Sequence, residues 1–219
     1  MKKQIYVGFS GKMGVGKTTI CNHIIDKMNT GKKKRAALFS FGDVLKTTVA
    51  SVFNFPLIWC YNDKNKVVNF LNNHVRLPMT IHQSAITPFT KAISIAPQKS
   101  SLTVRELLQW WGTDVVRNTI DKDFWVKKWK ETVPSIDSAE VILVDDVRFY
   151  NELEAVNNDN GMMYRIEPYP NWDKHSDHES ETTLDEYPFL MTNIKYPLYG
   201  EEHLKKVTEE IVKDLEGLC

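Results

Sequence analysis

The chain has 219 residues, 42% of them hydrophobic, and its 28 Lys plus Arg balance its 28 Asp plus Glu. That balance argues against polyelectrolyte binding to DNA or RNA, which calls for a basic excess, and no apolar run reaches the roughly 20 residues needed to cross a bilayer. Cys21, Cys60 and Cys219 are widely spaced, odd in number and form no C-x-x-C, which argues against a disulfide framework or zinc ribbon and suits a reducing cytosol.

Ile5-Tyr6-Val7-Gly8-Phe9 reads as a strand running into Gly11-Lys12-Met13-Gly14-Val15-Gly16-Lys17-Thr18-Thr19, with a helix beginning near Thr18. Gly11-x-x-x-x-Gly16-Lys17-Thr18 fits a phosphate-binding loop, in which small residues let successive backbone N–H groups converge on a polyphosphate at a helix N-terminus. Lys17 would reach the β- and γ-phosphates and Thr18 would ligate Mg²⁺. The glycine pair alone carries little weight; the lysine, the hydroxyl and the preceding strand separate this loop from a plain surface turn. A loop so close to residue 1 favours one domain over two.

Ile20, Ile24, Ile25 and Met28 keep helical spacing up to Asn29-Thr30-Gly31, a C-cap. Lys32-Lys33-Lys34-Arg35 reads as a solvated connector, since no stacking aromatics flank it. Ala36 to Phe41 is a second buried strand, and Gly42-Asp43 opens a helix through Val44, Leu45, Thr48 and Val49. Asp43 reads equally well as an N-cap and as a carboxylate facing a second substrate beyond a strand's C-terminal end. From Asn72 to Ser101, Pro78, Pro88 and Pro97 interrupt short β-rich pieces such as Met79-Thr80-Ile81 and Ala92-Ile93-Ser94-Ile95, the pattern of a hairpin-bearing insertion. Arg76 and His82 within it read as surface residues.

Thr103 and Glu106 are spaced as a capping box. In the helix that follows, Val104, Leu108, Trp111 and Val115 share an apolar face, while Arg105, Gln109, Thr113 and Arg117 recur every fourth residue. The second stripe is either a solvated face or a clamp, and guanidiniums with an amide suit a phosphate and a base edge better than a plain solvent face does. Gly112 marks a kink before Arg117. Asp121 to Asp123 cap a helix bearing Trp125 and Trp129, core residues by default, with base stacking the alternative.

Val141-Ile142-Leu143-Val144 is a continuous apolar run ending in Asp145-Asp146, as for a central parallel strand that delivers carboxylates to a catalytic edge. Arg148 follows, either to neutralise a transferring phosphoryl group or to make a structural pair with an aspartate. Asn151 to Val156 continue as a helix, and Gly161 to Ile166 form a further strand. The polar loop through His175, His178, Ser180 and Glu181 is a weak metal set and reads as a segment closing over a nucleotide. Leu190 to Ile194 is the last expected strand, and Glu201 to Leu218 a terminal helix with Leu204, Val207, Ile211 and Leu215 on one face.

Phe41-Gly42-Asp43-Val44-Leu45-Lys46, Val104-Arg105-x-Leu107-Leu108-Gln109-x-x-Gly112-Thr113-Asp114, Phe124-Trp125-Val126-Lys127, Asp146-Val147-Arg148-Phe149-x-Asn151-Glu152 and His178-x-Ser180-Glu181 resemble motifs of the deoxynucleoside monophosphate kinases of bacteriophages and related viruses. With the loop they span nearly the whole chain, leaving residues 54–101 as a variable insertion. The resemblance implies an α/β, P-loop nucleoside monophosphate kinase-like fold, a five-stranded parallel sheet flanked by helices, in a single domain of residues 1–219. It also implies MgATP-dependent phosphoryl transfer to a deoxynucleoside 5′-monophosphate, giving the diphosphate for dNTP synthesis. The expected setting is cytoplasmic, the host cytoplasm if the source is viral, with no membrane or nucleic-acid partner; family members are often dimeric, which leaves a homodimer open.

Carried over residue by residue, Gly11, Lys12, Met13, Gly14, Val15, Gly16, Lys17, Thr18 and Thr19 hold ATP, and Lys17, Asp146 and Arg148 are catalytic. Thr18 and Asp146 take the metal. Asp43, Lys46, Arg105, Gln109, Trp125 and Glu152 contact the acceptor, with His178, Glu181 and Arg117 as accessory positions. Some family members have Asp in place of the loop hydroxyl; Thr18 makes ordinary Mg²⁺ coordination easier to expect. The competing readings are a kinase of the same fold acting on dephospho-coenzyme A or a ribonucleotide, and a nucleotide-binding module without catalysis. A guanine-specific GTPase is disfavoured by the lack of a late N-K-x-D.

Overall fold

The computed structural model describes residues 4–31, 35–69, 101–136, 139–157, 161–167, 176–188, 196–197 and 200–218. In chain order the elements are β1 (Ile5–Gly11), α1 (Lys17–Met28), β2 (Ala36–Leu38), α2 (Gly42–Val52), α3 (Trp59–Asn62), β3 (Val67–Asn69), β4 (Ser101–Thr103), α4 (Val104–Gln109), a π-helix (Trp110–Ile120), α5 (Phe124–Ile136), β5 (Val141–Val144), α6 (Tyr150–Asn157), β6 (Met162–Glu167), α7 (Glu179–Thr182), β7 (Tyr196–Pro197) and α8 (Gly200–Glu216). They fall into two compact units, Met1–Phe41 with Trp129–Cys219, and Gly42–Lys128.

The first unit is an α/β layer built on a parallel sheet in the order β2-β5-β1-β6-β7. Strands β1 and β5 pair with Ile5 opposite Val141 and Gly8 opposite Val144. Val141, Ile142, Leu143 and Val144 are all 0% exposed, which is why β5 has no alternation: a strand covered on both faces must be apolar at every position. Helices α1 and α8 supply one of those covers. Ile20, Ile24 and Met28 join Leu204, Val207, Ile211 and Leu215 in a single core, so the terminal helix buries the face its spacing predicts. The strand expected at Leu190 to Ile194 lies outside the described residues; the pairing with β6 comes from the two-residue β7, Ile166 opposite Tyr196. Among the described residues no helix is long and apolar enough to cross a membrane.

In the second unit β3 and β4 form an antiparallel ribbon, Val67 opposite Thr103 and Asn69 opposite Ser101, so the two ends of the expected insertion are tied together by hydrogen bonds. The β-rich pieces expected between them lie outside the described residues. Thr103 caps α4 as its spacing predicts: its hydroxyl accepts from the Glu106 N–H, and the Glu106 carboxylate accepts from the Thr103 N–H. Val49, Phe53, Val104, Leu107, Trp110 and Val115 form this unit's own core.

The α-helical wheel expected from Val104 to Arg117 holds for only six residues. At Trp110 the helix passes into π geometry, marked by the Asp121 N–H bonding back to the Val116 carbonyl at 3.0 Å, five residues away. Each wider turn rotates later side chains off the four-residue stripe. Thr113 is therefore buried, and the Arg117 guanidinium donates to the Lys122 carbonyl at 2.8 Å. Gly112 lies where a Cβ would come within 2.6 Å of the Leu45 side chain, so the glycine permits close packing against α2.

Because Leu143 is fully buried at the centre of the sheet, Leu143→Ala should cost about 2–5 kcal/mol. Urea denaturation should show a lower midpoint with an unchanged slope.

Candidate active site

Strand β1 ends at Gly11, and the loop turns through Gly11, Gly14 and Gly16 at φ of 142°, 78° and 93°. A side chain at Gly11 would be strained twice, by that φ and by the Ile166 carbonyl 2.3 Å from the Cβ position. Gly16 stands at the N-cap of α1 with no side-chain cap, and no acidic residue occupies the first turn. The first N–H groups and the positive end of the helix dipole are thus left to bind an anion.

The Lys17 ammonium is folded over this loop, donating to the Gly11 carbonyl at 2.7 Å and the Lys12 carbonyl at 2.8 Å. Burial, with the Arg148 charge as a second cause, pushes its pKa down to about 8, against the opposing pull of Glu181, Asp145 and Asp146.

Asp145, immediately after β5, is 8% exposed. One of its oxygens accepts from the Ser40 hydroxyl at 2.5 Å and the other from the Thr18 hydroxyl. Asp146 instead accepts from the Phe41 N–H at 2.9 Å. Of the two positions expected at the metal, Thr18 donates to the neighbouring Asp145 and Asp146 turns to Phe41. Successive side chains of an extended chain point to opposite sides, so only one of two adjacent carboxylates can turn toward α1.

Glu152, expected at the acceptor, is buried and accepts from the Arg148 N–H at 2.8 Å and the Phe149 N–H at 3.1 Å. It is the third residue of α6 reaching back to the helix entrance, half of a capping box, and it fixes the backbone that carries Arg148. The Arg148 guanidinium donates to the Ser180 carbonyl at 3.1 Å and pairs with Glu181. Glu181 also accepts from the Met13 N–H of the loop at 2.9 Å. Lys12 donates to the Glu181 carbonyl at 2.9 Å and pairs with Asp185, which in turn pairs with Arg165 at 2.8 Å; Arg165 donates to Ser10 at 2.9 Å. His178 is the N-cap of α7, its Nδ1 accepting from the Ser180 N–H at 3.2 Å. His175 lies outside the described residues.

In the second unit Asp43 accepts from Lys46 at 2.9 Å and from the Tyr61 hydroxyl at 3.2 Å, and the Lys46 ammonium sits 4.6 Å from the centre of the Tyr61 ring. Arg105 and Gln109 are half-buried, one turn apart on α4. Trp125 points into the core, its indole N–H donating to the Gly112 carbonyl at 2.9 Å.

A family model described as deoxynucleotide monophosphate kinase matches residues 43–188, two thirds of the chain. The chain belongs to the deoxynucleotide monophosphate kinase family. It is a kinase that uses ATP and phosphorylates deoxynucleoside monophosphates. No curated relative matches it. Among solved structures it is similar to shikimate kinase from Bacteroides thetaiotaomicron, at 13% identity and a TM-score of 0.42, over 97% of this chain and 98% of that one.

The family match begins at Asp43, so the kinase's phosphate loop is supported by its own geometry. Motif reading left Asp145 of this kinase without a role of its own and passed over Ser40, and Tyr61 as the neighbour of Asp43. The doubled aspartate was the only signal for the first, and nothing local to the sequence marks the other two.

Keeping Lys17 charged while buried costs the kinase stability. Its folded pKa lies below its ordinary value, so this contribution to stability is complete above pH 10.5 and is lost as the pH falls toward about 8. Lys17→Met should therefore raise stability at pH 7 by on the order of 3 kcal/mol, with the gain shrinking as pH rises through that window. Thermal unfolding of both proteins across pH 7 to 10.5 measures the difference.

Proposed function

We propose that this kinase transfers the γ-phosphoryl group of MgATP to a deoxynucleoside 5′-monophosphate, giving the diphosphate, on a P-loop nucleoside monophosphate kinase plan in which residues 1–219 act as one domain. The observation that carries the reading is the convergence of Lys17, Arg148 and the loop N–H groups beside the Thr18–Asp145 pair. Such a set has little covalent chemistry to perform. It aligns two phosphates and spreads the charge of the transition state, and positioning with electrostatics accounts for most of the acceleration. The acceptor phosphate is already ionised, so no general base is needed.

The oxygens of Thr18 and Asp145, with Asp146 beside them, suit a hard cation such as Mg²⁺. That ion commonly takes one or two protein oxygens and completes its shell with phosphates and water. When bound there, Mg²⁺ would neutralise charge on the β- and γ-phosphates. Lys17 and the loop hold the triphosphate, and Arg148, its backbone fixed by Glu152, stabilises the transferring group. Asp43, Lys46, Arg105 and Gln109 bind the acceptor.

A coupled assay of ADP release over deoxy- and ribonucleoside monophosphates and dephospho-coenzyme A tests the acceptor. At least one deoxynucleoside monophosphate should stimulate turnover above every other class; stimulation only by another class would overturn the assignment. Arg148→Ala should lower kcat by about 10²–10³-fold with little change in the KM for ATP, as expected for a group that stabilises the transition state preferentially. An unchanged kcat would make Arg148 structural.

A further inference from the structure

The Glu181 side chain reaches the phosphate loop from α7. Its side chain is 5% exposed, and its two oxygens divide between the Arg148 guanidinium and the Met13 N–H. Lys17 feels it as well, since Glu181 is the largest of the charges that hold the ammonium protonated. A loop N–H, a guanidinium and a nearby ammonium are the groups that gather around a bound phosphate. Glu181 thus satisfies with its own charge the donors that a polyphosphate would use. The attachment is reinforced next door, where Lys12 holds the Glu181 carbonyl and pairs with Asp185.

We infer that Glu181 is a built-in competitor of the nucleotide phosphates, a positioning residue that acts through Met13 and Arg148. A phosphate oxygen entering the loop and the Glu181 carboxylate are like charges seeking the same donors in a desolvated place, where repulsion is strong. Binding ATP must therefore turn Glu181 out, and doing so releases Arg148 from its ion pair toward the phosphates. Part of the ATP binding energy is spent on this exchange, and the arginine is withheld until the triphosphate is seated. The carboxylate also makes the site selective, because a weakly held anion such as inorganic phosphate has less binding energy with which to displace it.

The inference rests on the reading of the loop as the ATP site. It is tested by calorimetric titration of ATP into the full chain, wild type against Glu181→Gln, which keeps the size of the side chain and removes its charge. The variant should bind ATP about tenfold more tightly, the scale of removing one close like charge, and should hydrolyse ATP faster in the absence of acceptor because Arg148 is no longer withheld. Unchanged or weaker ATP binding by a folded Glu181→Gln would overturn the inference and make Glu181 a brace of the closed site. Should that variant not fold, Glu181→Asp carries the same test: its shorter arm weakens the competitor, so ATP should again bind more tightly, by a smaller factor, and unchanged or weaker binding overturns the inference. Failure of the wild type itself to bind ATP would overturn the reading of the loop, and this inference with it.

Discussion

The buried carboxylate of Asp145 is the constraint on which the first unit's site depends. One oxygen takes the Ser40 hydroxyl just beyond β2, and the other takes the Thr18 hydroxyl in the first turn of α1. An anion at 8% exposure must be paired or fully hydrogen-bonded, because its desolvation otherwise costs far more than one bond returns. Three segments distant in sequence are therefore locked to one point, and the phosphate loop enters α1 from a fixed position. Asp146 adds a third tie by accepting the Phe41 N–H, so the ends of β2 and β5 cannot move apart independently.

Those parts of the fold and site that depend on local pattern were legible in the sequence. The glycine loop needs residues that tolerate positive φ, the β5 run needs apolar residues at every position, and the Thr103/Glu106 box and the apolar face of α8 follow from helix geometry alone. What was not legible depends on where a side chain meets a distant partner. Asp145 and Asp146 are equivalent in any motif, and only the direction of the chain beyond β5 decides which one meets Thr18. Glu152 looks like a substrate ligand because it follows Arg148 at motif spacing, yet its carboxylate is taken by the backbone of the turn that presents Arg148. The π-helix defeats a wheel drawn at 3.6 residues per turn, and nothing in Trp110 to Ile120 except Gly112 announces it. Trp125 packs in the second unit's core, as the default for an apolar-periodic aromatic has it, with its indole N–H on the Gly112 carbonyl.

Among the described residues, charges of both signs offset one another around the loop. Lys12, Lys17, Arg148 and Arg165 stand against Asp145, Asp146, Glu181 and Asp185, most of them in direct contact with a partner of opposite sign. Such compensation keeps a crowded, partly desolvated site from being dominated by repulsion. It also means that a polyphosphate does not enter a ready-made positive pocket. Favourable binding needs the balance to be shifted, either by bringing in a cation or by moving one of the resident anions away.

The four anions differ in how easily they can be moved. Asp145 and Asp146 are anchored by the hydroxyls and the N–H that shape the sheet edge, so displacing them would disturb β2 and α1. Among the described residues the Asp185 side chain, 36% exposed, pairs with Lys12 and Arg165. Glu181 belongs to α7, a helix of four residues tied both to the loop, through Met13 and Lys12, and to Arg148. Helices that short derive little stability from their own backbone bonds and hold their place through side-chain contacts. Glu181 is thus the anion that meets the loop with both its side chain and its carbonyl, at the Met13 N–H and the Lys12 ammonium, while its other carboxylate oxygen holds Arg148.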